Sequence, residues 1–338
     1  MDSGSDLGFD MEIVSYKILM PGADSDNLCL HLHWPIEPCI VPPATSRNHA
    51  TPVPIPLATA EIVELSGNDA IVFAQSQFSS DVALLTPGHY QWSAWLSAQG
   101  RVRHLFALLR PDPDRLLAWL PRGSASDMRA ALSRFVMRAK VSMRVVPDLV
   151  VHDGEAESTT SGVLTPAGSG WLLELPGPTP RTVLLAAAPT MPAPDSRHLT
   201  EWQRADIDAG LPWIGAEVAD LFTPQALGIE RLGAISHAKG CYPGQEIVAR
   251  LHYRGGNKRG CFRVSIDRPE PPEPGASIVS ASGGSTLGTF LYAVRSDALR
   301  SRGLAVLPIQ ESDHVELALE SGERLQILGP AAESERSE

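Results

Sequence analysis

The chain has 338 residues, of which 43% are hydrophobic and 20% are charged, and these proportions are ordinary for a globular protein. Its 28 basic and 39 acidic side chains give a formal net charge of −11, which argues against general nucleic-acid binding. No apolar run approaches the ~18 residues of a membrane-spanning helix, and the N-terminus resembles neither a secretory signal nor a transit peptide. Four scattered cysteines indicate a reducing compartment. We therefore expect a cytoplasmic protein with no membrane contact and no direct nucleic-acid partner.

An N-terminal extension, residues 1–55, ends in a proline-rich stretch typical of a linker. Within it lie two cysteines and two histidines that raise the hypothesis of a zinc site: Cys29, His31, His33 and Cys39. The first three alternate with leucines, however, and would share the polar face of a strand. Because their spacing fits no common zinc pattern, we favour the strand face and predict no metal site.

A folded α+β region is predicted from residue 56 to residue 258. Ile62, Val63 and Leu65 indicate a strand, and after a turn at SGND a helix is expected from Ala70. The stretch YQWSAWLSAQGRVRHLFALLR then predicts two strands joined at Gly100, as in a hairpin.

A helix followed by a strand is predicted by SASDMRAALSRFVMRAKVSMRVV. Ser126 or Asp127 can cap the helix. Its apolar stripe consists of Met128, Ala131, Leu132, Phe135 and Val136. Alternating apolar residues predict the strand: Val141, Met143 and Val145.

This helix–strand unit is locally basic, through Arg134, Arg138, Lys140 and Arg144. Such a run is usually a solvated face. The alternative is a clamp for the anionic tail of a ligand, and the sequence leaves both interpretations open.

A third helix is predicted to begin at Thr200, which forms a capping box with Gln203. Gly210, with Pro212 two residues later, predicts the end of this helix. Asp208 then lies in the last turn, where the helix dipole disfavours a carboxylate unless it has a partner. Arg204, one turn earlier, or a donor group of a ligand are the two candidates.

The most distinctive stretch is KGCYPGQEIVAR, residues 239–250. Pro-Gly predicts a turn into a helix, on which Glu246 and Arg250 form an i,i+4 pair. Cys241 lies just ahead of this helix and two residues after Lys239, surroundings that favour a thiolate. The alternative is a small residue that fills a tight turn.

The last part of the folded chain, residues 259–330, consists of short alternating runs separated by glycine and proline. This pattern predicts a small all-β barrel or sandwich. Residues 331–338 form a charged tail.

Several of these motifs, in this order, resemble one family. KGCYPGQE is very similar to the signature of the YgfZ-type folate-binding proteins, relatives of the aminomethyltransferase (T protein) of glycine cleavage. LSGNDAIVFAQSQFSSDV, SAQGRVRHLFALLR, RFVMRAKVSMR and DAGLPWIGAEVADLFTPQALGIERLGAIS resemble other segments of that family. The resemblance covers roughly residues 57–310.

The resemblance implies an α+β fold of the aminomethyltransferase type, with two α+β modules around a central hole and a C-terminal β-barrel. It also implies a tetrahydrofolate cofactor, possibly polyglutamylated, in the centre. The implied function is the assembly or maintenance of iron–sulfur clusters in client enzymes, which are its partners and include enzymes that modify tRNA. We expect the protein to act as a monomer.

Individual roles follow from the resemblance. Asp208 matches the family's pterin-binding carboxylate, and the polyglutamate tail would contact Arg138 and Lys140. In the signature, Cys241 is the working thiol and Lys239 favours its thiolate. The other signature residues complete the folate site: Tyr242 stacks on a ring, and Gln245 and Glu246 hold the loop.

The chain departs from the aminomethyltransferases at two positions. An acidic pair that holds the aminomethyl nitrogen in those enzymes is absent, because Gly100 is followed by Arg101, Val102, Arg103 and His104. Their pterin-binding glutamate is replaced by Asp208, which is one methylene shorter. A folate-binding maintenance factor that is not a conventional enzyme is therefore favoured over a folate-dependent aminomethyl transferase. A tRNA-binding module is disfavoured by the net charge.

Overall fold

The computed structural model describes residues 55–154, 159–179, 181–187, 195–282, 286–309 and 316–331. Within these ranges no helix is both long enough and apolar enough to cross a membrane. The predictions for the cysteine–histidine segment, Cys29 to Cys39, and for all but the first residue of the C-terminal tail lie outside the described residues.

The described residues form sixteen strands and five α-helices. The strands are β1 Ile55–Thr59, β2 Glu61–Ser66, β3 His89–Leu96, β4 Val102–Asp112, β5 Arg115–Leu120, β6 Ser142–Val145, β7 Leu149–Gly154, β8 Thr165–Ala167, β9 Gly170–Leu175, β10 Arg181–Ala187, β11 Arg259–Ile266, β12 Ser277–Ser280, β13 Thr286–Arg295, β14 Ser301–Pro308, β15 Leu317–Leu319 and β16 Arg324–Pro330. The helices are α1 Ala70–Gln77, α2 Ala125–Leu132, α3 Ser196–Asp208, α4 Pro224–Leu227 and α5 Gln245–Arg254. Short 3₁₀ turns lie at Val82–Leu84, Ser133–Phe135, Ala216–Val218 and Ile229–Leu232.

The first module is a five-stranded antiparallel sheet with the order β3-β4-β5-β2-β6. Both faces of this sheet are buried, which explains the almost continuous apolar run of β4. Phe106 and Leu108 pack with residues of α1 and α2, whereas Leu105, Ala107 and Leu109 face the core shared with the other modules. The predicted hairpin at Gly100 is confirmed, since β3 and β4 pair on either side of it.

The second module is a five-stranded sheet with the order β1-β7-β10-β9-β8, and the third is a closed barrel, β11-β14-β13-β12-β15-β16. The barrel has its own apolar interior, which includes Val264, Ile278 and Phe290. The other face of β13 packs into the shared core through Tyr292, whose hydroxyl donates to the carbonyl of Leu211 at 2.7 Å. The predicted α+β fold with a C-terminal barrel is confirmed.

Two helix starts differ from the predictions. The cap of α2 is Ser124, whose Oγ accepts from the amide of Asp127 at 3.1 Å, and not Ser126 or Asp127. Helix α3 is capped by Asp195, so Thr200 lies inside the helix and donates to the carbonyl of Ser196. In both cases the residue that caps the helix lies further upstream than predicted. Its side chain accepts a hydrogen bond from a backbone amide of the first turn, which would otherwise be unpaired.

Candidate functional site

A cavity of about 250 Å³ lies where the three modules meet. Both sheets, helix α3 and strand β13 of the barrel contribute to its wall. The lining residues are Leu57, Ala58, Glu61, Trp119, Leu120, Pro121, Arg122, Gly123, Val151, Leu175, Leu199, Trp202, Gln203, Asp206, Trp213 and Tyr292. A concave site at a junction of modules, mainly apolar with a few charged groups, is typical of small-molecule binding.

Aromatic rings form much of the wall. Trp119, Trp202, Trp213 and Tyr292 line the cavity, and Trp92 packs behind Trp213 with ring centroids 5.2 Å apart. Two arginines lie over these rings: Arg122 is 4.6 Å from the Tyr292 centroid, and Arg181 is 4.8 Å from that of Trp202. Such a wall offers flat apolar faces to a planar ring system.

Asp206 is the buried carboxylate of the cavity. Its Oδ1 accepts from Arg181 at 2.7 Å, and its Oδ2 accepts from Nε1 of Trp213 at 2.9 Å. Burial raises the pKa of Asp206, while the Arg181 guanidinium acts in the opposite direction. Because both oxygens have protein partners, Asp206 orients Trp213 and Arg181 around the cavity.

Glu61 is the second carboxylate, at the start of β2. Its Oε2 accepts from the amide of Ala125 at 2.7 Å and so caps the N-terminus of α2 from another element. Among the described residues, no hydrogen-bond donor reaches its Oε1. Glu61 therefore has an acceptor oxygen that a ligand in the cavity can use.

Asp208, the predicted pterin carboxylate, does not line this cavity. Its side chain is 57% exposed and lies 3.8 Å from Arg302 of the barrel. The reason is helical phase: Leu199, Trp202 and Asp206 follow the spacing of one face of α3, and Asp208 lies about 200° beyond Asp206. Arg204, one of the two candidate partners of Asp208, donates to the carbonyl of Arg295 instead.

The basic unit of the first module divides into two parts. Arg144 makes two hydrogen bonds, of 2.9 and 2.8 Å, to the buried Glu64, which also binds Arg115. Arg144 is therefore structural. Arg138 and Lys140 are exposed between α2 and β6 and do not line the cavity, so the structure does not bring them together with the other predicted folate residues.

The signature loop leads into α5 as predicted, with Gly244 at its N-cap and a left-handed φ of 78°. Cys241 is exposed and Cys261, on β11, is buried. Burial raises the pKa of the Cys261 thiol to about 12. Of the two cysteines in the described ranges, Cys241 is thus the one that solvent and partners can reach.

Lys239 is positioned differently from the prediction that it activates Cys241. Its side chain is buried, and Nζ donates to the carbonyls of Phe78 at 2.6 Å and Ser80 at 2.8 Å. Burial lowers the pKa of Lys239 to about 8, an effect that the charge of Asp81 opposes. The ammonium of Lys239 binds carbonyls in the segment that follows α1, and these hydrogen bonds connect the signature loop to the first module.

Tyr242, Gln245 and Glu246 are the remaining residues of the signature. Tyr242 is buried in the shared core, and its pKa is raised to about 12 by burial and by the charge of Glu230. Gln245 Nε2 donates to the carbonyl of Lys239 at 3.4 Å, which holds the loop as predicted. Glu246 is exposed, and it forms no ion pair with Arg250 in the described part of the chain.

Two glycines bring the signature loop and the β3–β4 hairpin into direct contact. A Cβ on Gly244 would lie 2.5 Å from the carbonyl oxygen of Ser97 and 2.7 Å from Cα of Gly100. Gly100 itself has a φ of 68°, and a Cβ there would lie 2.9 Å from Cβ of Ile247. Two motifs that are far apart in sequence therefore meet through backbone that only glycine allows.

The stretch after Gly100, where the aminomethyltransferases are acidic, holds an ion pair. Arg103 Nε donates to both carboxylate oxygens of Asp220 at 3.0 Å. His104 is stacked on Trp95, and burial lowers its pKa to about 4, so its ring is neutral at pH 7. The carboxylate of Asp220 therefore reaches this stretch from another segment of the chain, but the guanidinium of Arg103 binds it.

Sequence reasoning missed the residues that line the cavity, above all Glu61 and Asp206. The spacing of Leu199, Trp202 and Asp206 on α3 was a usable signal. It also missed a cluster of Glu230, His237 and His252, whose ligand atoms lie within 4.8 Å of one another and could hold a metal ion. No local pattern marked this cluster, because its members come from three different elements.

Comparisons with known proteins agree with this architecture. No family model matches the chain. A tRNA-modifying protein YgfZ from Klebsiella pneumoniae is 28% identical over 283 residues, which cover 75% of this chain and 86% of the relative. Another, from Edwardsiella ictaluri, is 33% identical over 61% of this chain and 69% of the relative. The crystal structure of the glycine cleavage system aminomethyltransferase T from Bartonella henselae superimposes with a TM-score of 0.58, at 13% identity, over 80% of this chain and 83% of that one.

The solved structure, at this low identity, supports the fold alone. The sequence relatives go further, because the matches cover 86% and 69% of their length at 28% and 33% identity. The chain therefore belongs to the YgfZ family.

Proposed function

We propose that this protein binds a reduced folate in the central cavity and acts in the assembly or maintenance of iron–sulfur clusters in client enzymes, including enzymes that modify tRNA. The name of the relatives, tRNA-modifying protein, supports the connection to tRNA. The resemblance of the sequence motifs to folate-binding proteins supports folate as the ligand class. The observation that carries the proposal is the aromatic cavity where the three modules meet.

The chemistry of the cavity suits a pterin. Flat apolar walls from Trp119, Trp202 and Trp213 complement a planar bicyclic ring. Oε1 of Glu61 can accept hydrogen bonds from its amino and ring N–H groups, in the role predicted for Asp208. The cavity volume of about 250 Å³ is just below the ~300 Å³ of pockets for whole drug-sized ligands, so the ring enters and the glutamyl part extends outside.

A polyglutamyl tail would then run over the surface, where Arg138 and Lys140 are exposed cations available to it. Tetrahydrofolate with several glutamates should therefore bind more tightly than the monoglutamate, and this difference should shrink in Arg138→Ala. Pterin binding itself should not depend on Arg138. Equal affinities of the two forms for the native protein would exclude the tail contact.

Cys241 is the working thiol in this proposal. Its exposure and its place on a loop that Lys239 and Gln245 anchor give an accessible thiol with a fixed position. We assign its role to contact with client enzymes or their clusters, and not to activation by Lys239, whose ammonium is hydrogen-bonded elsewhere. Loss of this role in Cys241→Ala should leave folate binding unchanged.

An aminomethyl transferase is the alternative function, and Asp220 is the observation that favours it. Its carboxylate lies beside the stretch where the transferases carry their acidic pair. Arg103 already binds this carboxylate, however, and a neighbouring guanidinium would repel an ammonium leaving group. We therefore propose that the protein does not transfer aminomethyl groups.

A deletion strain of the source organism would test the function. Iron–sulfur enzyme activities, tRNA modification and glycine cleavage are measured after complementation with the native protein, Cys241→Ala, or Ala58→Phe, which fills the cavity. We expect the deletion to lower the first two activities and spare glycine cleavage, and both variants to fail in rescue. Loss of glycine cleavage with intact iron–sulfur enzymes would contradict the proposal.

A further inference from the structure

A histidine pair and one glutamate form a compact cluster beside the signature loop, outside the central cavity. Glu230 comes from the 3₁₀ turn after α4, His237 from the loop before Cys241, and His252 from the third turn of α5. We infer that this cluster is a binding site for a divalent first-row transition ion, of the class of zinc or ferrous iron.

The two histidine nitrogens both lie close to one oxygen of Glu230. His237 Nε2 lies 3.1 Å from Oε1 of Glu230, and His252 Nδ1 lies 3.5 Å from the same oxygen. Two ligands that are each ~2.1 Å from one ion lie roughly 3.0 to 3.4 Å apart in octahedral or tetrahedral geometry. These two separations are therefore close to those of a coordination sphere, all three ligand atoms lie within 4.8 Å of one another, and a rotation of the more exposed His252 ring would complete the site.

The carboxylate of Glu230 is used on one side only. Oε1 of Glu230 accepts a hydrogen bond from Nε2 of Gln225 at 3.0 Å and lies within 3.5 Å of both imidazole nitrogens, while no donor among the described residues reaches its Oε2. Oε2 of Glu230 is therefore an acceptor oxygen that an ion can use. The two imidazole rings stack face to face with centroids 3.8 Å apart, so the His252 ring has to turn before the in-plane lone pairs of both rings point at one ion.

The surroundings hold these groups in place. Gln225 Nε2 also donates to the carbonyl of Val248 at 3.3 Å, which fixes the amide that orients Glu230. His237 and Glu230 are 18% and 35% exposed, so the site is open to ions but not fully solvated. Tyr253 lies edge-on to His252, 4.9 Å away, and shields one side of its ring.

Two imidazoles and one carboxylate leave coordination positions free for water or an external ligand. The bound ion would therefore present a Lewis-acidic, exchangeable position next to the signature loop. This site does not depend on the folate proposal, since no residue is common to the two.

The test uses the full-length protein, stripped with a chelator and titrated with Zn²⁺ by calorimetry and with Co²⁺ by visible absorption. We expect a single saturable site with d–d bands and no thiolate-to-cobalt charge-transfer band. Glu230→Gln, His237→Ala and His252→Ala should each abolish it or weaken it strongly. Gln225→Ala, which removes only the orienting amide, should weaken binding about 10- to 100-fold.

Two controls separate this site from others. His89→Ala removes an exposed histidine of β3 that bonds Thr86, and it should leave the titration unchanged. His31→Ala/His33→Ala alters the N-terminal cysteine–histidine segment and should also leave it unchanged. Zn²⁺ should raise the melting temperature of the native protein and not that of Glu230→Gln, whose near-isosteric side chain keeps the fold testable. Absence of binding, or binding that is lost only in the His31/His33 variant, would overturn the inference.

Discussion

The contact between Gly244 and the β3–β4 hairpin makes a sharp prediction for Gly244→Ala. The left-handed φ of 78° costs an alanine roughly 1–2 kcal/mol. Its Cβ would also lie 2.5 Å from the carbonyl oxygen of Ser97 and 2.7 Å from Cα of Gly100, and because both are backbone atoms the chain must shift, at about 1–3 kcal/mol. The free energy of unfolding should therefore fall by roughly 2–5 kcal/mol.

Gly240→Ala, in the same loop, is the matched control. A Cβ at Gly240 meets no atom within 4 Å, and this glycine has no left-handed φ. The control should change the free energy of unfolding by no more than ~0.5 kcal/mol.

At about 2 °C per kcal/mol for a chain of this size, Gly244→Ala should lower the melting temperature by roughly 4–10 °C.

Urea denaturation of both variants and of Gly100→Ala/Gly244→Ala would measure these effects. The double variant should lose less stability than the sum of the single variants, because the first substitution already separates the two backbones. Equal stability of Gly244→Ala and Gly240→Ala would refute the close packing of the signature loop on the hairpin.

Three further predictions concern single side chains. Alkylation followed by mass spectrometry should label Cys241 in the native protein long before Cys261, since Cys261 is buried and its pKa is raised to about 12; equal rates would contradict this assignment. Burial lowers the pKa of Lys239 to about 8, from 10.5 in the unfolded chain. Between these two pH values the unfolded state therefore binds more protons than the folded state. The stability of the native protein relative to Lys239→Met should accordingly rise as the pH increases through this window. Denaturation at about pH 7 and about pH 9.5 would detect this change, and a relative stability that falls with pH would show the opposite shift. The purified protein should form no 5,10-methylene-tetrahydrofolate from aminomethylated carrier protein, because Arg103 binds Asp220; turnover that Asp220→Asn abolishes would establish the transferase function instead.

The sequence predicted features whose signal is local. The hairpin at Gly100 and the helix after Pro-Gly follow from turn residues and hydrophobic spacing, and the alternating runs after residue 259 predicted the barrel. These signals need only a few neighbouring residues, so tertiary packing did not override them.

The site was less predictable because its side chains come from distant elements. Asp208 and Asp206 are two residues apart, and only the phase of α3 against the sheets decides which carboxylate is buried. Proximity of Lys239 to Cys241 in sequence suggested an activated thiol, but the lysine side chain extends to carbonyls at Phe78 and Ser80. Nothing near Glu61 in sequence indicates that it caps α2 and lines the cavity.

Calorimetry with tetrahydrofolate tests the central claim most directly, with Ala58→Phe and Ala83→Phe as a matched pair. Both alanines are exposed, but only Ala58 lines the central cavity. We predict saturable heat for the native protein, with a change in the fluorescence of Trp202 and Trp213, and the same binding for Ala83→Phe. Binding by Ala58→Phe should be weaker or absent, because the added ring occupies the pterin space. No heat with either the mono- or the polyglutamyl form, or undiminished binding by Ala58→Phe, would contradict the account.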